Sequence, residues 1–155
     1  MTKFRTLLTI CVVGATVALA ACNYAPMAPT SGPASPGTVA MTAGLSSSSE
    51  VPPNNSAGTG MLEASFDKQT NVLTWTVTYR GLTDSVTAAH FHGPAMAGTN
   101  AGVAMGFSGN LFSPIKESAT LTAAQAADLM AGKWYVNLHT EAHPQGEIRG
   151  QIAAK

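Results

Sequence analysis

The stretch Val72-Leu73-Thr74-Trp75-Thr76-Val77-Thr78-Tyr79-Arg80 decides the fold class. Leu73, Trp75, Val77 and Tyr79 alternate with Thr74, Thr76, Thr78 and Arg80. A period of two places the first set on one face of an extended strand and the second on the other. β-Branched and aromatic residues fit such a pleated, half-buried surface. Just upstream, residues 60–67 repeat the pattern, with Leu62, Ala64 and Phe66 against Met61, Glu63 and Ser65. The polar turn Lys68-Gln69-Thr70-Asn71 separates the two runs, so they read as a β-hairpin.

Further strands are expected on either side, at 38–45, 86–92, 103–108, 115–121, 134–139 and 147–153. Ser46 to Ser49 followed by Pro52 and Pro53 reads as a loop. Residues 122–131 break the alternation. Thr122 and Gln125 have capping-box spacing, alanines follow, and Gly132 suits a helix stop. The expected fold is all-β, a Greek-key β-sandwich with one short helix, over residues 38–155. There is no internal repeat. Trp75 and Trp134 read as core anchors.

The first 21 residues read as a secretory leader. Lys3 and Arg5 supply positive charge, Leu7 to Ala18 is apolar, and Ala18-Leu19-Ala20-Ala21 is small enough for cleavage. The apolar run is shorter than the roughly 18 to 20 residues a spanning helix needs. Leu19-Ala20-Ala21-Cys22 resembles the lipobox of bacterial lipoproteins. That resemblance implies cleavage before Cys22, acylation of Cys22, and a lipid bilayer as partner. Asn23 after the cysteine is compatible with outer-membrane delivery within the bacterial cell envelope. The other cysteine, Cys11, lies inside the leader, so the mature chain has one cysteine and no disulfide framework. Residues 22–37 carry Pro26, Pro29, Pro33 and Pro36, which favour an extended tether.

Charge excludes one class of partner. The chain has 8 basic and 8 acidic residues, and loss of Lys3 and Arg5 leaves the mature part weakly acidic. Nucleic acids are bound largely by neutralising phosphates, so no nucleic-acid partner is expected. No catalytic residues stand out. Ser108 in Gly106-Phe107-Ser108-Gly109 misses a nucleophile elbow because Asn110 holds the last position. None of Glu50, Asp67, Glu141 and Glu147 can be singled out as half of a carboxylate pair. Gly58-Thr59-Gly60 runs into a strand rather than a helix, unlike a phosphate loop. Glu147 and Arg149, two apart on a strand, read as a surface ion pair. Glu50 approaching Arg149 would make a firmer clamp.

Four stretches together resemble the CHRD domain, the module named from chordin. They are Glu50-Val51-Pro52-Pro53, Ala88-Ala89-His90-Phe91-His92-Gly93-Pro94, Tyr135-Val136-Asn137-Leu138-His139-Thr140 and Gly146-Glu147-Ile148-Arg149-Gly150-Gln151-Ile152. The resemblance spans about 38–153. It implies an immunoglobulin-like or superoxide-dismutase-like β-sandwich. It also implies a non-enzymatic binding or interaction module, its partner an unidentified envelope protein or ligand.

All four histidines lie in or beside these stretches. His90 and His92 project from one face of their strand, with Phe91 on the other as a core residue. His139 alternates with Val136 and Leu138 and shares a face with Tyr135 and Asn137. If the two strands are neighbours, the three imidazoles converge, and His143 on the following loop is a candidate fourth. Neutral imidazole is a common ligand of copper and zinc, so one copper or zinc ion is the cofactor this set would take. The His-x-His pair also resembles the copper-site strand of copper-zinc superoxide dismutase, implying dismutase-like redox chemistry if copper binds. That family uses further histidines and an Asp for its second metal, and only His143 remains spare here, so a full two-metal site is not expected. The structural alternative is that the imidazoles hydrogen-bond backbone carbonyls and brace the Gly93-to-Gly102 connection. Met96 and Met105 read as core fillers rather than soft ligands.

Overall fold

A computed structural model gives the fold, and it describes residues 37–155. The expected leader, Cys22 and nearly all of the tether lie outside the described residues. Strands β1 (Thr38–Ser46), β2 (Thr59–Asp67) and β3 (Val72–Arg80) form an antiparallel meander. Its register is uninterrupted: Thr38 pairs with Asp67 and Ser46 with Thr59, while Thr59 pairs with Arg80 and Asp67 with Val72. The alternation read from the sequence is therefore kept over the full length of all three strands. Leu62, Phe66, Leu73, Trp75 and Val77 point into the core.

The chain then crosses to β4 (Val86–His92) and β5 (Val103–Gly106), and returns to β3 through β6 (Ile115–Thr120). Helix α1 (Ala123–Met130) follows. The last strands are β7 (Tyr135–Thr140), β8 (Ile148–Gln151) and β9 (Ala153–Ala154). The spatial order is β5-β4-β7-β8-β1-β2-β3-β6, with β9 also on β1. All pairs are antiparallel.

The two layers expected of a sandwich are halves of one curled sheet. Trp75 of β3 and Phe91 of β4 stand five places apart in strand order, yet their rings meet edge to face with centroids 5.0 Å apart. Phe107 joins them, 5.2 Å from Trp75 and 4.9 Å from Phe91. Phe91 is 0 % exposed and Trp134 is buried, as the alternation required. Fully burying an aliphatic or aromatic side chain contributes about 1.5–3 kcal/mol, so this cluster is a large part of what holds the halves together.

Helix α1 forms as its sequence dictates. The Thr122 hydroxyl accepts from the Gln125 backbone N–H while Gln125 Oε1 accepts from the Thr122 N–H, a complete capping box. Gly132 closes the other end at φ +69, a left-handed conformation open to glycine. Ala126 and Leu129 are the side the helix buries.

Two expectations need correction. The outer face of β7 and β8 is not solvent-facing. The loop from Gly93 to Gly102 and the segment around a 3-10 turn at Ser47–Ser49 lie against it. Asn137 and Arg149 are consequently only 3 % and 2 % exposed. Nor do Glu147 and Arg149 form a surface ion pair. Glu147 is fully buried and accepts hydrogen bonds from Ser56 Oγ, the Thr83 N–H and hydroxyl, and Thr140 Oγ1. Arg149 donates to Asn100 Oδ1 and the Thr99 carbonyl, its guanidinium 3.3 Å from the centre of the Tyr135 ring. Each charge is satisfied by a different loop, which is why the two do not pair.

Candidate metal centre

Strands β4 and β7 are direct neighbours, with Ala88 opposite His139, His90 opposite Asn137 and His92 opposite Tyr135. Side chains two apart on a strand share a face, so His90, His92, Tyr135, Asn137 and His139 all emerge on the side away from Phe91. The imidazoles converge there. One ring nitrogen from each of His90, His92 and His139 lies within 4.8 Å of the others. His90 Nδ1 and His139 Nε2 are 2.9 Å apart.

His143 is not brought to this group. It lies on the turn between β7 and β8, its backbone N–H donating to Thr140 and its carbonyl accepting from Gly146. Met105, opposite Phe91 in the ladder, packs against the core. Met96 is exposed on its loop.

Backbone carbonyls fix the protonation pattern. His92 Nδ1 lies 3.0 Å from the Ala101 carbonyl and His139 Nδ1 lies 3.1 Å from that of Pro144. A carbonyl oxygen only accepts, so in both rings Nδ1 carries a hydrogen, and in the neutral ring Nε2 then keeps a lone pair. This is the outer-sphere arrangement that orients histidine ligands in metal sites. The bracing role considered for these imidazoles is thus real for His92 and His139, but the carbonyls occupy only Nδ1 of each; His139 Nε2 faces His90 and Asn137 instead. Among the described residues, His92 Nε2 is left with no hydrogen-bond partner, in a residue 9 % exposed. A buried nitrogen lone pair without a partner is costly, and a cation would satisfy it. The His92 ring is held further by stacking on Tyr135, planes 3° from parallel and centroids 4.8 Å apart.

Electrostatics favour the ligand form. Burial is the main cause that lowers the pKa of both His90 and His139; neighbouring imidazoles push the same way, and the Pro144 contact opposes it at His139. Both rings are therefore held toward the neutral state that binds a metal. A tetrahedral site with metal–nitrogen bonds of about 2.0–2.1 Å needs ligand nitrogens roughly 3.3 Å apart. The His90–His139 pair is already inside that spacing, and the set as a whole, at up to 4.8 Å, is wider than it.

Two polar residues that composition did not single out border the cluster. Asn137 Oδ1 is 3.0 Å from His139 Nε2. Glu50, 5 % exposed, sits behind Asn137 with its Oε1 unpartnered. Its pKa is raised by burial, an effect that the Arg149 charge and the Asn137 amide oppose. Glu50 and Arg149 thus interact through charge without the clamp the sequence suggested, because Arg149 spends its N–H groups on the Gly93-to-Gly102 loop. The signal available for Asn137 was its place two residues before His139.

The four motifs quoted from the sequence all converge here: Glu50 behind Asn137, His90 and His92 beside His139, and Arg149 beneath Tyr135. A family model for the CHRD domain matches residues 41–152. The chain belongs to the CHRD domain family. No curated protein and no solved structure matches it significantly. Within the CHRD domain the matched segment runs from β1 to just beyond β8, so it takes in the whole histidine face.

Proposed function

We propose that this protein is a lipid-anchored lipoprotein of the bacterial cell envelope, its CHRD domain a binding module whose ligand is one copper or zinc ion. The observation that carries the metal reading is the convergence of His90, His92 and His139 with a buried, unpartnered Nε2 among them. Three imidazoles are a ligand number that leaves a tetrahedral position open. With copper, the open position and one-electron couple suit dismutase-like chemistry on a small substrate; with zinc, binding alone remains. The anchor reading rests on Lys3, Arg5, the Leu7-to-Ala18 run and Leu19-Ala20-Ala21-Cys22. Acyl chains contribute about 0.8 kcal/mol per buried methylene, enough for stable attachment when more than one is present.

The metal reading is tested by elemental mass spectrometry on protein purified without chelator or affinity tag. One equivalent of copper or zinc is expected, lost when His90 and His92 are both changed to Ala. Absence of both metals after loading removes the reading. The anchor is tested separately: Cys22→Ala is expected to move the protein from the membrane fraction to the soluble one. Unchanged fractionation removes the anchor and leaves the metal reading standing.

A further inference from the structure

The contact between Asn137 and His139 sets a puzzle of donors and acceptors. With the His139 hydrogen on Nδ1, facing Pro144, Nε2 is an acceptor that faces both His90 Nδ1 at 2.9 Å and Asn137 Oδ1 at 3.0 Å. His90 Nδ1 can donate to it, but Asn137 Oδ1 is a second acceptor. Exchanging the amide oxygen and nitrogen would cure this contact but turn Oδ1 toward the Glu50 carboxylate, again acceptor against acceptor. In the orientation present, Asn137 Nδ2 lies on the Glu50 side: both Nδ2 and Glu50 Oε1 lie close to the place a β-carbon on Gly146 would occupy. Glu50 therefore selects the orientation that presents oxygen to the histidines. The mismatch left behind, the His139 Nε2 and Asn137 Oδ1 lone pairs facing each other at the edge of the three-histidine group, is one a shared cation resolves.

We propose that Asn137 Oδ1 is the fourth donor of the histidine site, making an N3O set that fills the fourth tetrahedral position, so that a small substrate on copper would have to enter as a fifth ligand, and that buried Glu50 holds the amide with its oxygen toward the metal. The proposal rests on the metal reading above and adds a chemical preference to it. An oxygen donor favours zinc(II) and copper(II) over the softer copper(I). It also gives the buried, partly unsatisfied carboxyl group of Glu50 a role: one residue removed from the cation, it orients the ligand, as outer-sphere carboxyl groups do.

The test uses the full chain extracted in detergent, with zinc(II) and copper(I) affinities measured by chelator competition and the copper(II) form examined by electron paramagnetic resonance. Asn137→Leu is expected to weaken zinc(II) binding about 10- to 100-fold. It should also alter the copper(II) spectrum while leaving copper(I) affinity unchanged. Asn137→Asp keeps an oxygen in place and is expected to retain zinc(II) binding. Glu50→Gln is expected to weaken zinc(II) binding in the same direction by less. If zinc(II) and copper(I) affinities fall together in Asn137→Leu and Asn137→Asp does not restore them, Asn137 is merely structural and the donor assignment is overturned. An unchanged spectrum and unchanged zinc(II) affinity in Asn137→Leu overturn it equally, with the three-histidine reading intact. A wild-type chain that takes up neither metal overturns both.

Discussion

The rings of His92 and Tyr135 lie in parallel planes, 3° apart, on paired positions of neighbouring strands. The Tyr135 hydroxyl accepts from the Ala101 N–H at 3.2 Å, and the Ala101 carbonyl accepts from His92 Nδ1 at 3.0 Å. One tyrosine thus fixes the plane of the imidazole and the carbonyl that sets its tautomer. Tyr135→Phe keeps the stack and loses only the hydroxyl bond, so a stability loss of about 1 kcal/mol is expected. Tyr135→Ala removes the stack as well. Metal affinity is expected to fall by about tenfold or more, because an outer-sphere contact of a ligand is gone. Denaturant titration and chelator competition on the two variants separate the effects; equal affinities in both would show that the stack does not position His92.

Trp75 joins the two halves of the curled sheet through Phe91 and Phe107. Its indole Nε1 is buried and has no hydrogen-bond partner among the described residues. The ring volume therefore matters and its N–H group does not. Trp75→Ala is expected to cost about 3–5 kcal/mol, the range for large-to-small changes in a packed core. Trp75→Phe is expected to cost much less, since it keeps an aromatic contact and removes an unsatisfied donor. Urea unfolding of the pair gives the comparison. A Phe variant as unstable as the Ala variant would mean that the indole nitrogen has a partner after all.

Much of this architecture can be read directly from periodicity. The alternation in residues 72–80 fixes which face of β3 is inside, and the Thr122–Gln125 spacing marks the start of α1 within a residue. The pairing of β4 with β7 is different in kind. Alternation puts His90, His92 and His139 on outer faces, but only the non-local strand order makes those faces adjacent. Burial of the outer face is a third case. Tyr135, Asn137 and Arg149 look solvent-facing by period, because a two-residue repeat carries no information about which loop folds back over a strand. Glu147 and Arg149 were misread for the same reason. Their spacing suggests a pair, and the loops at 54–56, 83 and 99–100 supply other partners.

Glu147 makes stability depend on pH. Burial alone would raise its pKa, but the hydrogen bonds from Ser56, Thr140 and Thr83 together outweigh burial and hold it below the usual carboxylate value. A depressed folded-state pKa means that the unfolded chain binds the proton more readily. The stabilisation is fully present above the unfolded-state pKa of about 4.3 and is lost as pH falls through the lower, folded-state value. Glu147→Gln is expected to lose about 1.5–3 kcal/mol at neutral pH, the scale of hydrogen bonds to a charged group. The gap between wild type and variant should then narrow as the solution is made acid. Urea midpoints measured from pH 7 down to about 3 test this; a gap that stays constant through the carboxylate range would mean that Glu147 is not the titrating group.

Gly146 is the position where backbone geometry and the site meet most tightly. It adopts φ +126, a region that L side chains rarely enter. A β-carbon there would overlap Glu50 Oε1 and crowd Asn137 Nδ2. Gly146→Ala therefore carries two costs, backbone strain and displacement of the Glu50–Asn137 contact. Strained backbone alone is worth about 1–3 kcal/mol. The second cost has a distinct signature. If Glu50 must shift, the Asn137 amide loses the group that orients it, and zinc(II) affinity should fall along with stability. Gly132→Ala supplies the control, because it also carries backbone strain, milder at φ +69, with no contact nearer than the Ile152 carbonyl at 3.9 Å. It is expected to lose stability while binding zinc(II) as the wild type does. Matched losses of zinc(II) affinity in the two variants would trace the effect to general destabilisation instead of to the Glu50–Asn137 contact.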